Sequence, residues 1–94
     1  MINTIRVVIS GRVQGVGYRA WAVEQATHLG LSGWVRNRND GTVEAVFSGD
    51  DTRIAQMVEA CKQGPASSLV DSIESFACKE EVSGLFAAKP NVKL

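Results

Sequence analysis

The sequence predicts an α+β chain: a two-layer sandwich in which two helices cover one face of an antiparallel sheet, with elements in the order β-α-β-β-α-β. Three observations carry this reading. Ile5, Val7, Ile9 and Val13 alternate with other residues ahead of a glycine-rich break. Asn39-Asp40-Gly41 separates two strand-like runs, and Asp-Gly at such a place is a strong hairpin signal. Two further stretches carry apolar residues at three-to-four spacing, and each stops at a glycine, Gly30 and Gly64.

Taken in order, the first strand is expected from about Thr4 to Val13, with Val8 adding to its β-branched content. Gln14-Gly15-Val16-Gly17 ends it with two glycines, a turn signal. A helix follows from about Tyr18 to Leu29, with Tyr18, Ala22, Ala26 and Leu29 as its apolar face. Leu31 to Arg38 and Thr42 to Ser48 are the hairpin strands, and Val43, Ala45 and Phe47 share one face of the second. Gly49-Asp50-Asp51-Thr52 closes that strand, and its acids suit the start of a helix. This helix sets Ile54, Met57 or Val58, and Cys61 on one face and runs to about Gln63 before Gly64-Pro65. Leu69 to Cys78 reads as a fourth strand whose muddled alternation implies a bulge, and Leu85 to Ala88 as a short extra strand. Each helix must bury its stripe on the sheet, and the simple solution is the ferredoxin-like topology. That topology hosts many functions, so function has to be argued from a site.

The length of 94 residues suits a single domain spanning 1–94. Hydrophobic residues at 45% and charged residues at 21% are ordinary for a globular chain and argue against disorder. Ten basic residues balance ten acidic ones, so net charge gives no reason to expect nucleic acid or a membrane as partner. Arg12, Arg19, Arg36 and Arg38 nevertheless gather in the first half with few acids beside them, which implies a local positive field. Cys61 and Cys78 are too few for a secreted disulfide framework, and their spacing matches no zinc pattern. Both are expected as buried free thiols. The N-terminus has no signal-peptide pattern and no run is long enough to span a bilayer. The expectation is a cytoplasmic monomer, no large apolar face being left unexplained.

The glycine break carries the chemistry. Gly15-Val16-Gly17-Tyr18-Arg19-Ala20 matches Gly-x-Gly-x-x-Ala between a strand and a helix, and Asp40 follows at the distance a dinucleotide site requires. The chain is too short for a doubly wound sheet, and Asp40 is better explained by its turn, so this reading is rejected. The general physics remains: backbone N–H groups turned into a concave loop at a helix N-terminus bind anions. The planar guanidinium of Arg19 can grip two phosphate oxygens at once. No lysine follows as in the ATP-binding loop, and no Ser or Thr stands ready to hold magnesium. From Arg12 to Ala20 there is no Cys, Ser, Thr, Asp or His, so the loop offers no group to form a phospho-enzyme. Catalysis on this loop therefore means attack by water. The plainer alternative, a tight turn whose arginine pairs with a surface acid, fits these residues equally well.

Asn37 shares strand parity with Val35, which turns it towards the helices and the start of the first of them. Its amide can hold a water by donating one bond and accepting another. Taken alone, an asparagine that ties down the hairpin is the commoner arrangement. Arg36 and Arg38 have the opposite parity and are expected in solvent.

Two segments also carry a family signature. Gly11-Arg12-Val13-Gln14-Gly15-Val16-Gly17-Tyr18-Arg19 resembles the first acylphosphatase motif, and the run from Gly33-Trp34-Val35-Arg36-Asn37 to Gly41-Thr42-Val43-Glu44 resembles the second. The resemblance is strong from about Ile5 to Pro65 and thins beyond, where Val70, Ile73 and Phe86 keep parts of the pattern and Ala87 to Leu94 departs from it. It implies a ferredoxin-like fold and a hydrolase acting on the carboxyl–phosphate bond of acyl phosphates. It implies phosphate binding by Arg19 with the backbone amides of Gln14, Gly15, Val16, Gly17 and Tyr18, and orientation of the attacking water by Asn37. It implies no metal or cofactor, a small-molecule acyl phosphate as substrate and inorganic phosphate or a similar anion as loop ligand. The alternative from another class is a non-catalytic anion- or carbamoyl-phosphate-binding module. An RNA-binding module would need exposed aromatics on the central strands, and Phe47 has core parity.

The remaining chemically able residues have structural explanations. His28 lies late in the first helix, off its apolar stripe, and is expected on the surface. Trp21 and Trp34 lack an interleaved basic patch and are expected to pack. Asp50-Asp51 reads as a helix start, Glu80-Glu81 as a solvated loop, and Tyr18 as an inward ring that fixes the glycine loop.

Overall fold

A computed structural model describes residues 2–90. Its elements are β1 (Ile2–Arg12), α1 (Tyr18–His28), β2 (Ser32–Asn37), β3 (Val43–Asp50), α2 (Asp51–Gln63), β4 (Leu69–Ala77) and β5 (Ala87–Ala88). The sheet order is β4-β1-β3-β2-β5. The pairs β1/β3, β1/β4 and β2/β3 are antiparallel, and β1, β3 and β2 are the inner strands, with β3 in the middle. The expected ferredoxin-like order and layers are present, with strand ends moved by one or two residues. The core lies between sheet and helices and gathers Val7, Ile9, Val35, Val43, Ala45 and Phe47 from the strands. Tyr18, Ala22 and Ala26 meet them from α1, and Ile54, Met57 and Cys61 from α2. The choice left open on α2 falls to Met57, while Val58 is only half-buried.

Two features of the later chain depart from a plain antiparallel sheet. Ser10 pairs with Ser72 but Gly11 pairs with Val70, so Asp71 is the extra residue of a bulge in β4, where the alternation was muddled. β5 joins the sheet parallel to β2, not antiparallel. The chain reaches it from β4 at the far edge, so no tight turn dictates its direction. The Phe86 ring, stacked on Phe47 at 5.4 Å, anchors it, and Lys89 N–H donates to the Val35 carbonyl at 2.8 Å. The end of the tail, residues 91–94, lies outside the described residues.

The expectation of solvated Arg36 is corrected. Glu44 lies on the sheet face away from the helices with its side chain only 9% exposed, and a buried carboxylate needs partners. Arg36 Nε donates to it at 2.8 Å and Arg6 at 3.1 Å, while Arg36 also lies over the Trp34 ring. Arg38 sits 3.7 Å from Asp40 with only 19% of its side chain exposed. Cys78 is half-buried, not buried, because β4 is an edge strand; both thiols are free.

Tyr18 joins the two helices. It is the first residue of α1, is 1% exposed, and its hydroxyl donates to the Cys61 carbonyl at 2.7 Å. In a continuing helix that carbonyl would receive the N–H four residues on, but residue 65 is proline and has none. The tyrosine hydroxyl thus satisfies a carbonyl that the end of α2 leaves orphaned. Tyr18→Phe should destabilise the fold by about 1–3 kcal/mol, read as a lowered urea midpoint with unchanged slope. Burial pushes the Cys61 thiol up to about 12 and holds the Tyr18 phenol above its ordinary value. An unfolded cysteine loses its proton near pH ~8.5, so this stability is complete below that pH and is lost as pH rises toward the folded value. Unfolding free energy should therefore fall above about pH 9, and the slope should be shallower in Cys61→Ala.

Candidate active site

β1 ends at Arg12, and after five intervening residues α1 begins at Tyr18. Gly15 and Gly17 make this turn possible with φ of 73° and 81°, a left-handed conformation that side chains resist. Space is open beside both, so conformation and not crowding requires glycine. Among the described residues, the N–H groups of Gly15, Val16 and Gly17 donate to no other group. The first N–H groups of α1 have no acceptor within the helix by its geometry, and no acid stands in its first turn. A row of unengaged donors at the positive end of a helix results, which is an anion cradle.

Beside this cradle opens a cavity of about 390 Å³, within the range of small-molecule sites. Gly15, Gly17, Tyr18 and Arg19 line it from the loop and α1, and Asn37 lines it from the end of β2. Val13 and Ala20 complete the wall from either side of the loop, and Ala88 closes it from β5. Arg19 is half-buried and forms no ion pair with a carboxylate among the described residues. The alternative of a turn arginine paired with a surface acid is therefore not what the chain builds. Asn37 is 8% exposed on the helical face, beside fully buried Val35. Its carboxamide bonds to no other described residue. The hairpin is tied down by other groups. Asp40 Oδ1 accepts from the Thr42 N–H at 3.0 Å and the Thr42 hydroxyl at 2.6 Å, bonds that hold the Asp40 carboxyl below its ordinary range.

The two motifs thus meet in one cavity, though not every loop residue faces it. Val16 packs its side chain against the core, and Gln14 sends its amide to the hairpin. Ala88 was missed from the sequence because a two-residue strand of alanines carries no functional signal. Val13 and Ala20 flank the glycine run and were legible only as its ends.

The expected positive field is narrower than four arginines suggest. Arg36 is neutralised by Glu44 on the opposite face of the sheet, and Arg38 leans to Asp40. Arg19 and the loop amides supply the charge at the cavity. His28 is exposed at the far end of α1. Trp21 packs on Tyr18, with ring centroids 5.2 Å apart. Trp34 is buried, and its ring N–H donates to Glu80 at 2.6 Å, so Glu80 anchors a loop and is not merely solvated. Among the described residues no three His, Cys, Asp or Glu side chains gather as a metal site would need.

Comparison with known proteins identifies the family. The family model described as acylphosphatase matches residues 5–86. An acylphosphatase of Azorhizobium caulinodans is 52% identical over 84 residues, which cover 89% of this chain and 90% of that relative. The crystal structure of acylphosphatase from Bacillus subtilis superposes with a TM-score of 0.88 at 36% identity, covering 95% of this chain and 99% of that one. Full-length HypF in its phosphate- and nucleotide-bound form superposes with a TM-score of 0.91 over 99% of this chain and 12% of its own, at 23% identity, a likeness of fold alone. The chain belongs to the acylphosphatase family and hydrolyses the carboxyl–phosphate bond of acyl phosphates.

Proposed function

We propose that the hydrolysis proceeds by in-line attack of water on a phosphoryl group held by Arg19 and the loop amides from Gln14 to Tyr18, with Asn37 aiming the water. The observation that carries this reading is the meeting of Arg19 and Asn37 in one cavity, with no histidine or carboxylate side chain among the described residues that line it. An acyl phosphate is an activated mixed anhydride, and its carboxylate leaves without protonation. The reaction needs positioning and charge stabilisation more than a strong base. Charge in the transition state spreads over the three non-bridging oxygens, and in this reading the cradle donors and the Arg19 fork receive them. Water oxygen bonds to phosphorus as the bond from phosphorus to the acyl oxygen breaks. The proton passes to a phosphate oxygen, and carboxylate and inorganic phosphate leave. Asn37 accepts one bond from the water and donates one to it.

The same reading makes the chain a single cytoplasmic domain acting as a monomer on a small molecule, without metal, cofactor or nucleic acid. Its support is one core joining both helices with the sheet. The exposed large apolar residues are spread over three segments: Ile2 on β1, Leu69 and Phe76 at the two ends of β4, and Leu85 in the loop before β5. No helix among the described residues is long and apolar enough to cross a membrane.

Benzoyl phosphate should be hydrolysed with a chelator present, and loss of turnover on chelation would assign the reaction to a metal. Arg19→Gln should lower kcat/KM by about 10²–10³-fold while the unfolding free energy stays within about 0.5 kcal/mol of wild type, since Arg19 has no ion pair among the described residues to lose. Asn37→Ala should lower kcat by about 10²-fold and leave competitive inhibition by phosphate intact. If phosphate inhibition vanished with it, Asn37 would be a binding residue. With no carboxylate or histidine side chain among the described lining residues, kcat should show no enzyme ionisation between about pH 5 and pH 8.

A further inference from the structure

The Gln14 side chain has a use that the phosphate cradle does not require. Its amide nitrogen carries two hydrogens, and both are committed: one to the Arg38 carbonyl at 2.7 Å, the other to the Thr42 carbonyl at 2.8 Å. Both acceptors are carbonyls, so only the nitrogen end of the amide fits there. These carbonyls face each other across the neck of the β2–β3 hairpin. Each already accepts one backbone bond, from Gly41 N–H to Arg38 at 3.2 Å and from Arg38 N–H to Thr42 at 2.9 Å. The glutamine fills the remaining lone pair of each. It therefore joins both arms of the hairpin to the loop that holds the anion.

The neck lies one residue from the cross-strand pair of Asn37 and Val43. Asn37 itself is bonded through its side chain to no described residue, so its aim depends on the backbone beneath it. A displacement of about 1 Å at a positioned group costs roughly 10²-fold in rate, and a hairpin end held only by its own turn has that freedom. We propose that Gln14 is a positioning residue: its side chain clamps the hairpin to the phosphate loop and so sets the distance between the bound phosphoryl group and the water held by Asn37. This rests on the assignment of Asn37 to the water. Glutamine suits the task because its single nitrogen reaches two carbonyls at once. Glutamate would set a negative charge against both.

The test is a double-mutant cycle on benzoyl phosphate hydrolysis with Gln14→Met, which keeps length and apolar bulk but loses both donors, and Asn37→Ala. Gln14→Met should lower kcat about 10- to 100-fold, with KM and the inhibition constant for phosphate changed less than about threefold. The double variant should be no slower than Asn37→Ala alone, because a clamp that acts through Asn37 has nothing left to act on. Unchanged kcat in Gln14→Met, additive losses in the cycle, or phosphate inhibition weakened in step with kcat would each overturn the proposal. Normal kcat in Asn37→Ala would overturn the water assignment instead, which separates the two failures. Gln14→Asn, one methylene too short to span both carbonyls, is held to the same outcomes should the methionine variant not fold.

Discussion

The hydrogen bond from the Tyr18 hydroxyl to the Cys61 carbonyl is the contact on which the site most depends. It arises from two local facts of sequence. Pro65 cannot donate to the fourth carbonyl before it, and Gly64, at φ 65°, turns the chain away where a side chain would strike the tyrosine ring. The end of α2 thus leaves one carbonyl and one ring-sized space, and Tyr18 fills both. Since Tyr18 also opens α1, fixing its ring fixes where that helix begins and where its unengaged N–H groups point. The anion cradle is positioned from behind, by the core.

Electrostatics at the site follow from how the sheet separates charge. Strand parity sends Arg36 and Glu44 to the face without helices, where Arg6 and Arg36 close on one buried carboxylate. Asn37 and Val35 face the other way. Among the described residues the charged side chain lining the cavity is therefore Arg19, and it is shared with no carboxylate among them. An arginine already paired would have to break that pair before gripping phosphate.

Much of this was legible because it is local. The glycine run before a helix, the Asp40-Gly41 turn and the parity of Asn37 are each set by a few adjacent residues. What escaped is set by pairing between distant segments. Arg36 looked solvated because its ionic partner Glu44 becomes a neighbour only when β2 and β3 pair. β5 had no readable direction because it is placed by Phe86 stacking on Phe47 and not by a turn. Gln14 was visible as a loop residue contributing its amide N–H, but its side chain binds a hairpin more than twenty positions away. No periodicity marks such a contact.

The leaving group explains why so small a domain suffices. Hydrolysis of a phosphate monoester must expel an alkoxide and calls for an acid, a metal or a nucleophile. A carboxylate leaves unaided, so the barrier that remains is the approach of water and the charge on the phosphoryl oxygens. In the mechanism proposed above, backbone donors at a helix start, one guanidinium and one carboxamide would meet both needs without a general base. Accuracy is then the scarce quantity. The glycine loop and Asn37, the proposed water-holder, sit on different elements, joined through the sheet and whatever crosses between them. A contact that bridges loop and hairpin directly shortens that path to a single side chain, and in this chain the bridge is the amide of Gln14.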